Sequence, residues 1–113
     1  MSSLIAEITA RQDALRHVVM EKSNRALSAL ALANVAIAHR GDGAHAAAEL
    51  LLAMEHGKAF DFRLLLQFDT TNRAHADMMM MGYQAPHLWP SIWLDNIGAK
   101  GEEIMQAIVE KWG

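Results

Sequence analysis

The sequence predicts an all-α protein: a compact single-domain bundle of five or six short helices over residues 1–113. Three observations carry that expectation. Pro86 and Pro90 are the only prolines and lie in one segment, so nothing in the first 80 residues breaks a helix through its ring. Alanine and leucine, both strong helix formers, dominate those residues. No stretch alternates β-branched and polar residues as a half-buried strand would. At 113 residues the chain is long enough to bury well over half of its unfolded surface without a metal or a disulfide.

The first helix is expected from Ser3 to Glu21. Leu4, Ile8, Leu15 and Val19 recur near helical spacing, while Arg11, Gln12, Asp13 and Arg16 lie off that stripe. Either Ser23 or Asn24 caps a second helix from Arg25 to His39, or the alanine-rich sequence on both sides continues the first helix straight through. Its ALSALALANVAIA stretch is apolar on nearly every side, so it is either central in the domain or part of a dimer contact. RGDG, residues 40–43, supplies a turn, and a third helix follows from Ala44 to His56 with Gly57 ending it. Asp61 caps a short fourth helix to Phe68, with Phe60 and Leu65 as a hydrophobic staple. Asp69 or Thr70 caps a fifth, reaching Met81 or Gly82. Tyr83 to Gly101 reads as irregular, with one helical turn around Ser91–Asn96. The last helix, Glu102 to Trp112, carries Ile104, Met105, Ile108, Val109 and Trp112 on one face, with charges that suit its dipole.

Composition removes several function classes. With no cysteine there is no disulfide framework, thiolate zinc site or cysteine nucleophile. The net charge is −3 and its sign is spread along the chain, without the basic stripe through which duplex binders neutralise phosphates. The nearest approach to one is Arg11, Arg16, Lys22 and Arg25, which define a weaker nucleic-acid reading. The start has no basic, apolar leader pattern, and the longest apolar run, residues 26–38, falls short of the roughly 20 residues a spanning helix needs. The expectation is a cytoplasmic protein with no membrane contact.

The stretch RGDGAHAAAELLLAMEHGKAFDFRLLLQFDTTNRAHADMMM, residues 40–80, resembles a family of small uncharacterised proteobacterial proteins carried on plasmids and integrative elements. The matching positions are Gly43, Leu51, Leu52, Ala53, Phe60, Asp61, Leu64, Asp69, Ala74, Asp77, Met78, Gly101 and Trp112, so the likeness spans about residues 26–113. Met54 and Glu55 depart from it, standing where the family commonly has two tryptophans. The resemblance implies a mobile-element accessory protein and carries no catalytic residues with it.

Six histidines invite a metal site, but no two are three or four residues apart on a helix. His45 and Glu49 have that spacing, with His39 or Asp42 nearby; an exposed i,i+4 contact is the simpler reading, and no metal or cofactor is expected. His75 and Asp77 sit about 200° apart on a helix and cannot form a dyad within it. Asp61 and Asp69 are accounted for as caps, and Asp77 is expected to pair with Arg73 in competition with Asp69. A cluster of Asp61, Asp69, Asp77 and His75 around a pocket defines the alternative function, a small enzyme or ligand binder.

The main expectation is a non-enzymatic module that binds a host or element-encoded protein. Inhibition of a defence system such as CRISPR interference is the form implied by the mobile-element resemblance. The segment DMMMMGYQAPHLWPSIW, residues 77–93, is its candidate surface. Four consecutive helical residues cover a full turn, so the methionines cannot share one face. Met78 and Met81, on the face of Ala74, are assigned to the core, and Met79 and Met80 point elsewhere. Either the following loop covers those two, or Met79, Met80, Tyr83, His87, Trp89 and Trp93 form a deformable partner-binding patch. The first helix leaves a similar choice: it packs on the domain, or residues 3–38 form a two-fold homodimer contact.

Overall fold

In the computed structural model, which describes Ala6, residues 22–83 and residues 89–113, the uncharged stretch 26–38 lies inside a central helix, α1, Lys22–Ala38. It is followed by α2 (Asp42–His56), a 3-10 helix η1 (Phe62–Gln67), α3 (Thr70–Met81), α4 (Pro90–Asn96) and α5 (Gly101–Trp112). The described residues contain no strand, and the protein is an all-α bundle. The helix expected over Ser3–Glu21 lies, but for Ala6, outside the described residues, and so does any break between it and α1. Helix α1 is already formed at Lys22, so Ser23 and Asn24 do not cap it. Both residues are tolerated inside a helix, and no proline or glycine upstream forces a start there.

Around α1 pack α2, α3, α4 and α5. Ala26, Ala29, Leu32, Ala33 and Ala36 are fully buried, and the small alanines let neighbouring helices approach closely. Every apolar residue of α2 from Ala44 to Met54 is buried as well. This helix starts at Asp42, two residues earlier than expected, with Gly41 at its cap and the Asp42 carboxylate in a first turn whose dipole favours it. Gly57 ends it at φ 67°, in the left-handed region where glycine has no Cβ penalty.

Two chain segments far apart in sequence close the bundle. Lys111 Nζ donates to the carbonyls of Ala36 (2.9 Å), Ile37 (2.7 Å) and His39, at the C-terminal end of α1. Trp112 Nε1 donates to the same Ala36 carbonyl at 2.8 Å. The end of α5 therefore supplies donors to carbonyls that a helix terminus leaves without partners. Trp112→Phe keeps the ring packing and removes one hydrogen bond, so thermal or urea unfolding should register a loss of about 0.5–1.5 kcal/mol.

The methionine run corrects the sequence expectation. Met79 and Ala76 are fully buried, Met78 and Met80 are half-buried, and Met81 is 44% exposed. The core face of α3 thus runs through Ala76 and Met79, not through Ala74, Met78 and Met81. The reason is the docking of α3 on α1, where Ser28 Oγ lies 3.1 Å from His75 Nδ1 and Arg25 reaches Gly82. Those contacts turn the 75–76–79 side inward.

Candidate functional site

The residues that the sequence offered as a contact patch divide into separate settings. Met79 is fully buried and Trp93 is 3% exposed, so neither is available on the surface. Trp93 is held under the Arg25 guanidinium, which lies 5.2 Å from its ring, because α4 packs against α1 along its Trp93–Leu94 side. Trp89 is 48% exposed just ahead of α4. His87 lies outside the described residues. Met80 and Tyr83 remain, and they come together with residues that sequence reasoning did not single out.

These two line a groove of about 370 Å³ with Leu50, Ala53 and Met54 from α2, Gly57 and Lys58 from the following turn, and Phe60 and Phe62 ahead of and within η1. Each wall has a local cause. The left-handed Gly57 turns the chain off α2, and Lys58 N–H closes on the Ala53 carbonyl at 3.1 Å, so the segment doubles back beside the helix. Asp61 then fixes the entry to η1 by accepting from the Arg63 backbone N–H at 2.9 Å. Phe60 and Phe62, on either side of that cap, meet edge to face at 6.1 Å. On the far side, α3 ends at Met81, and Tyr83 extends across to place its hydroxyl 3.4 Å from the Met54 carbonyl, which accepts from it.

The walls are apolar and Lys58 is the one charged residue among them. Phe62 is 73% exposed, and no residue of η1 is buried. Two of the lining residues are methionines, whose unbranched, polarisable side chains conform to irregular partners. A concavity of this size sits at the lower end of ligand-binding cavities, enough for one or two apolar side chains of a partner. Nothing in the groove combines a nucleophile with a base.

The alternative cluster does not assemble. Asp61 is engaged by Arg63 through two side-chain nitrogens, and those hydrogen bonds hold its carboxyl below the usual range. Asp69 is the cap of α3, accepting from Asn72 N–H at 2.7 Å. Arg73, expected to choose between two aspartates, pairs with Asp77 at 2.9 Å. Asp69 and Asp77 share one shallow concavity with Arg73, whereas His75 faces α1 and Ser28. His45 and Glu49 make the expected i,i+4 contact at 3.6 Å, with the His45 ring against Trp112. No three His, Asp or Glu side chains among the described residues are grouped to hold a metal.

Of the four basic residues offered for a phosphate contact, only Arg25 has a described side chain, and it is not presented to a ligand. Arg25 is 4% exposed, donates to the Gly82 carbonyl at 3.0 Å, and has its pKa lowered by burial. Arg11 and Arg16 lie outside the described residues. A larger concavity, about 590 Å³, runs between the end of α2 and α5, but its polar lining is carboxylate-rich. Of those carboxylates, Glu55 is committed to the Ser91 backbone N–H and hydroxyl at the start of α4. Met54 and Glu55 are therefore a groove wall and a helix-start acceptor.

No helix among the described residues is long and apolar enough to cross a membrane. Comparison of the chain with protein-family models, with curated proteins and with solved structures gives no match.

Proposed function

We propose that this protein is a non-enzymatic protein-interaction module, acting in the cytoplasm, whose contact surface is the groove between Met54, Phe62, Met80 and Tyr83. The observation that carries the reading is an apolar, methionine-containing concavity edged by exposed aromatic residues: Phe62 is 73% and Tyr83 39% exposed. Apolar anchors of this kind, surrounded by polar surface, are where binding energy concentrates in protein contacts. The resemblance to mobile-element proteins narrows the partner to a host protein or one encoded by the same element. A bacterial defence component such as a CRISPR effector, inhibited by occupation of its surface, is the specific form proposed.

The test is a capture experiment with the full chain from host lysate, run in parallel with Phe62→Glu and Met80→Glu. The expected result is a partner retained by the wild-type chain. Its affinity for the Phe62→Glu chain should be weaker by about tenfold or more, which corresponds to ~1.4 kcal/mol or more. Phe62 is exposed enough for that substitution to leave the fold intact, which circular dichroism checks. A partner bound equally by both variants would move the contact surface away from the groove, and no partner at any salt would count against the reading as a whole.

A further inference from the structure

Four of the described helices pack on α1, and among the described residues one side of it stays uncovered, with an ordered pattern. Leu27 and Ile37 are 53% and 40% exposed. Asn34 is exposed between them, and Leu30 is half-buried. The spacing of Leu27, Leu30, Asn34 and Ile37 is the three–four–three interval of a helix-to-helix seam, with apolar residues at three positions and a single asparagine at the fourth. At about 100° per residue these four side chains emerge within roughly 80° of one another. The whole stretch 26–38 contains no Asp, Glu, Lys or Arg. A helix face that ends at water ordinarily carries charged side chains, and this one carries none.

We propose that a second copy of the chain packs on this strip, with the two α1 helices parallel and in register about a two-fold axis and Asn34 facing Asn34. Three features choose this occupant. An uncharged strip meets its own copy without opposing like charges, and it offers a charged partner nothing to be steered or selected by. A lone asparagine in an apolar seam is satisfied by another amide at the same height. A parallel, in-register pair provides that amide; an antiparallel pair centred on the strip sets Asn34 against Leu30 and leaves it unsatisfied. The alanines beside the strip, Ala31 and Ala38, are small enough for close approach of the two helices.

The strip from Leu27 to Ile37 is about 15 Å long at the α-helical rise, shorter than the contact a tight dimer makes. The association is therefore weak, in the micromolar-to-millimolar range, and reversible. It uses none of the residues lining the Met80–Tyr83 groove, so it stands apart from the proposed partner-binding reading.

The chain has no cysteine, so one introduced thiol reports unambiguously on proximity. Asn34→Cys in the full chain, under mild oxidation, should form a disulfide-linked dimer at least about tenfold faster than Gln106→Cys on the exposed side of α5. A parallel register brings equivalent Cα atoms into the roughly 4.4–6.8 Å range that a disulfide spans. Sedimentation equilibrium of the wild-type chain should show its mass rise with concentration from 12.5 kDa towards twice that value. Leu27→Glu, or Ile37→Glu should the first lose helicity, should abolish the rise. A monomer at millimolar concentration, cross-linking at residue 34 no faster than at 106, or association untouched by both charged variants would each overturn the proposal. Faster cross-linking between Leu30→Cys and Asn34→Cys chains than between two Asn34→Cys chains would establish an antiparallel pair and overturn it equally.

Discussion

Met79→Ala should lower the unfolding free energy by about 2–5 kcal/mol, while Met81→Ala, the same truncation, should change it by about 0.5 kcal/mol or less. The two residues lie two positions apart on α3 and differ in what surrounds them. Met79 is fully enclosed in the main core cluster, where deleting its side chain removes transfer free energy and leaves a cavity that the packed helices close only in part. Met81 is 44% exposed, so its removal takes little surface out of the interior. Urea unfolding of the full chain, with the slope of the transition held as a check on compactness, measures both. A larger loss for Met81→Ala than for Met79→Ala would restore the 74–78–81 face as the core and contradict the packing described here.

That pair also marks where the sequence stops being informative. Sequence periodicity identifies a buried face by contrast between apolar and polar positions. A run of four methionines has no contrast, so its register is set from outside, by the Arg25–Gly82 and Ser28–His75 contacts between α3 and α1. Neither contact has a local signature, because their partners lie 57 and 47 residues apart. Local chemistry was easier to read. Asp61 and Asp69 cap their helices as expected, Gly57 ends α2, and Arg73 pairs with Asp77, since each depends on residues within four positions.

The groove was half legible for the same reason. Met80 and Tyr83 stand out as adaptable, amphipathic residues in a suspicious segment. Met54 and Phe62 look like ordinary core residues until the turn at Gly57 brings the chain back beside α2. Trp93 falls in the helical turn expected around Ser91–Asn96, but one short turn gives no periodicity to say which side faces inward; Pro90 sits at the first position of α4, where its fixed φ suits helix entry. The helix it starts carries Trp93 and Leu94 into the interior.

Gly101→Ala should destabilise the fold by about 2 kcal/mol or more, against a background in which alanine for glycine in a helix normally gains about 0.5–1 kcal/mol. Its own Cβ decides the sign. An ideal Cβ at this position would stand 2.0 Å from the Ser91 carbonyl oxygen, 2.7 Å from the carbonyl carbon and 2.9 Å from Asp95 Oδ1. Two of those atoms are backbone of α4 and cannot rotate aside, so α5 must move away from α4. That movement pulls the Gly101 N–H from Asp95 Oδ1, now 2.8 Å away, and loosens the α4–α5 contact. Gly43 offers the comparison: a Cβ there would meet only the Gln67 carbonyl at 3.4 Å, an ordinary contact. Gly43→Ala, in the first turn of α2, should therefore be neutral or stabilising by up to about 1 kcal/mol. One glycine is required by close approach and the other is not. Equal effects of the two substitutions on the thermal midpoint would show that the α4–α5 approach is looser than these distances require.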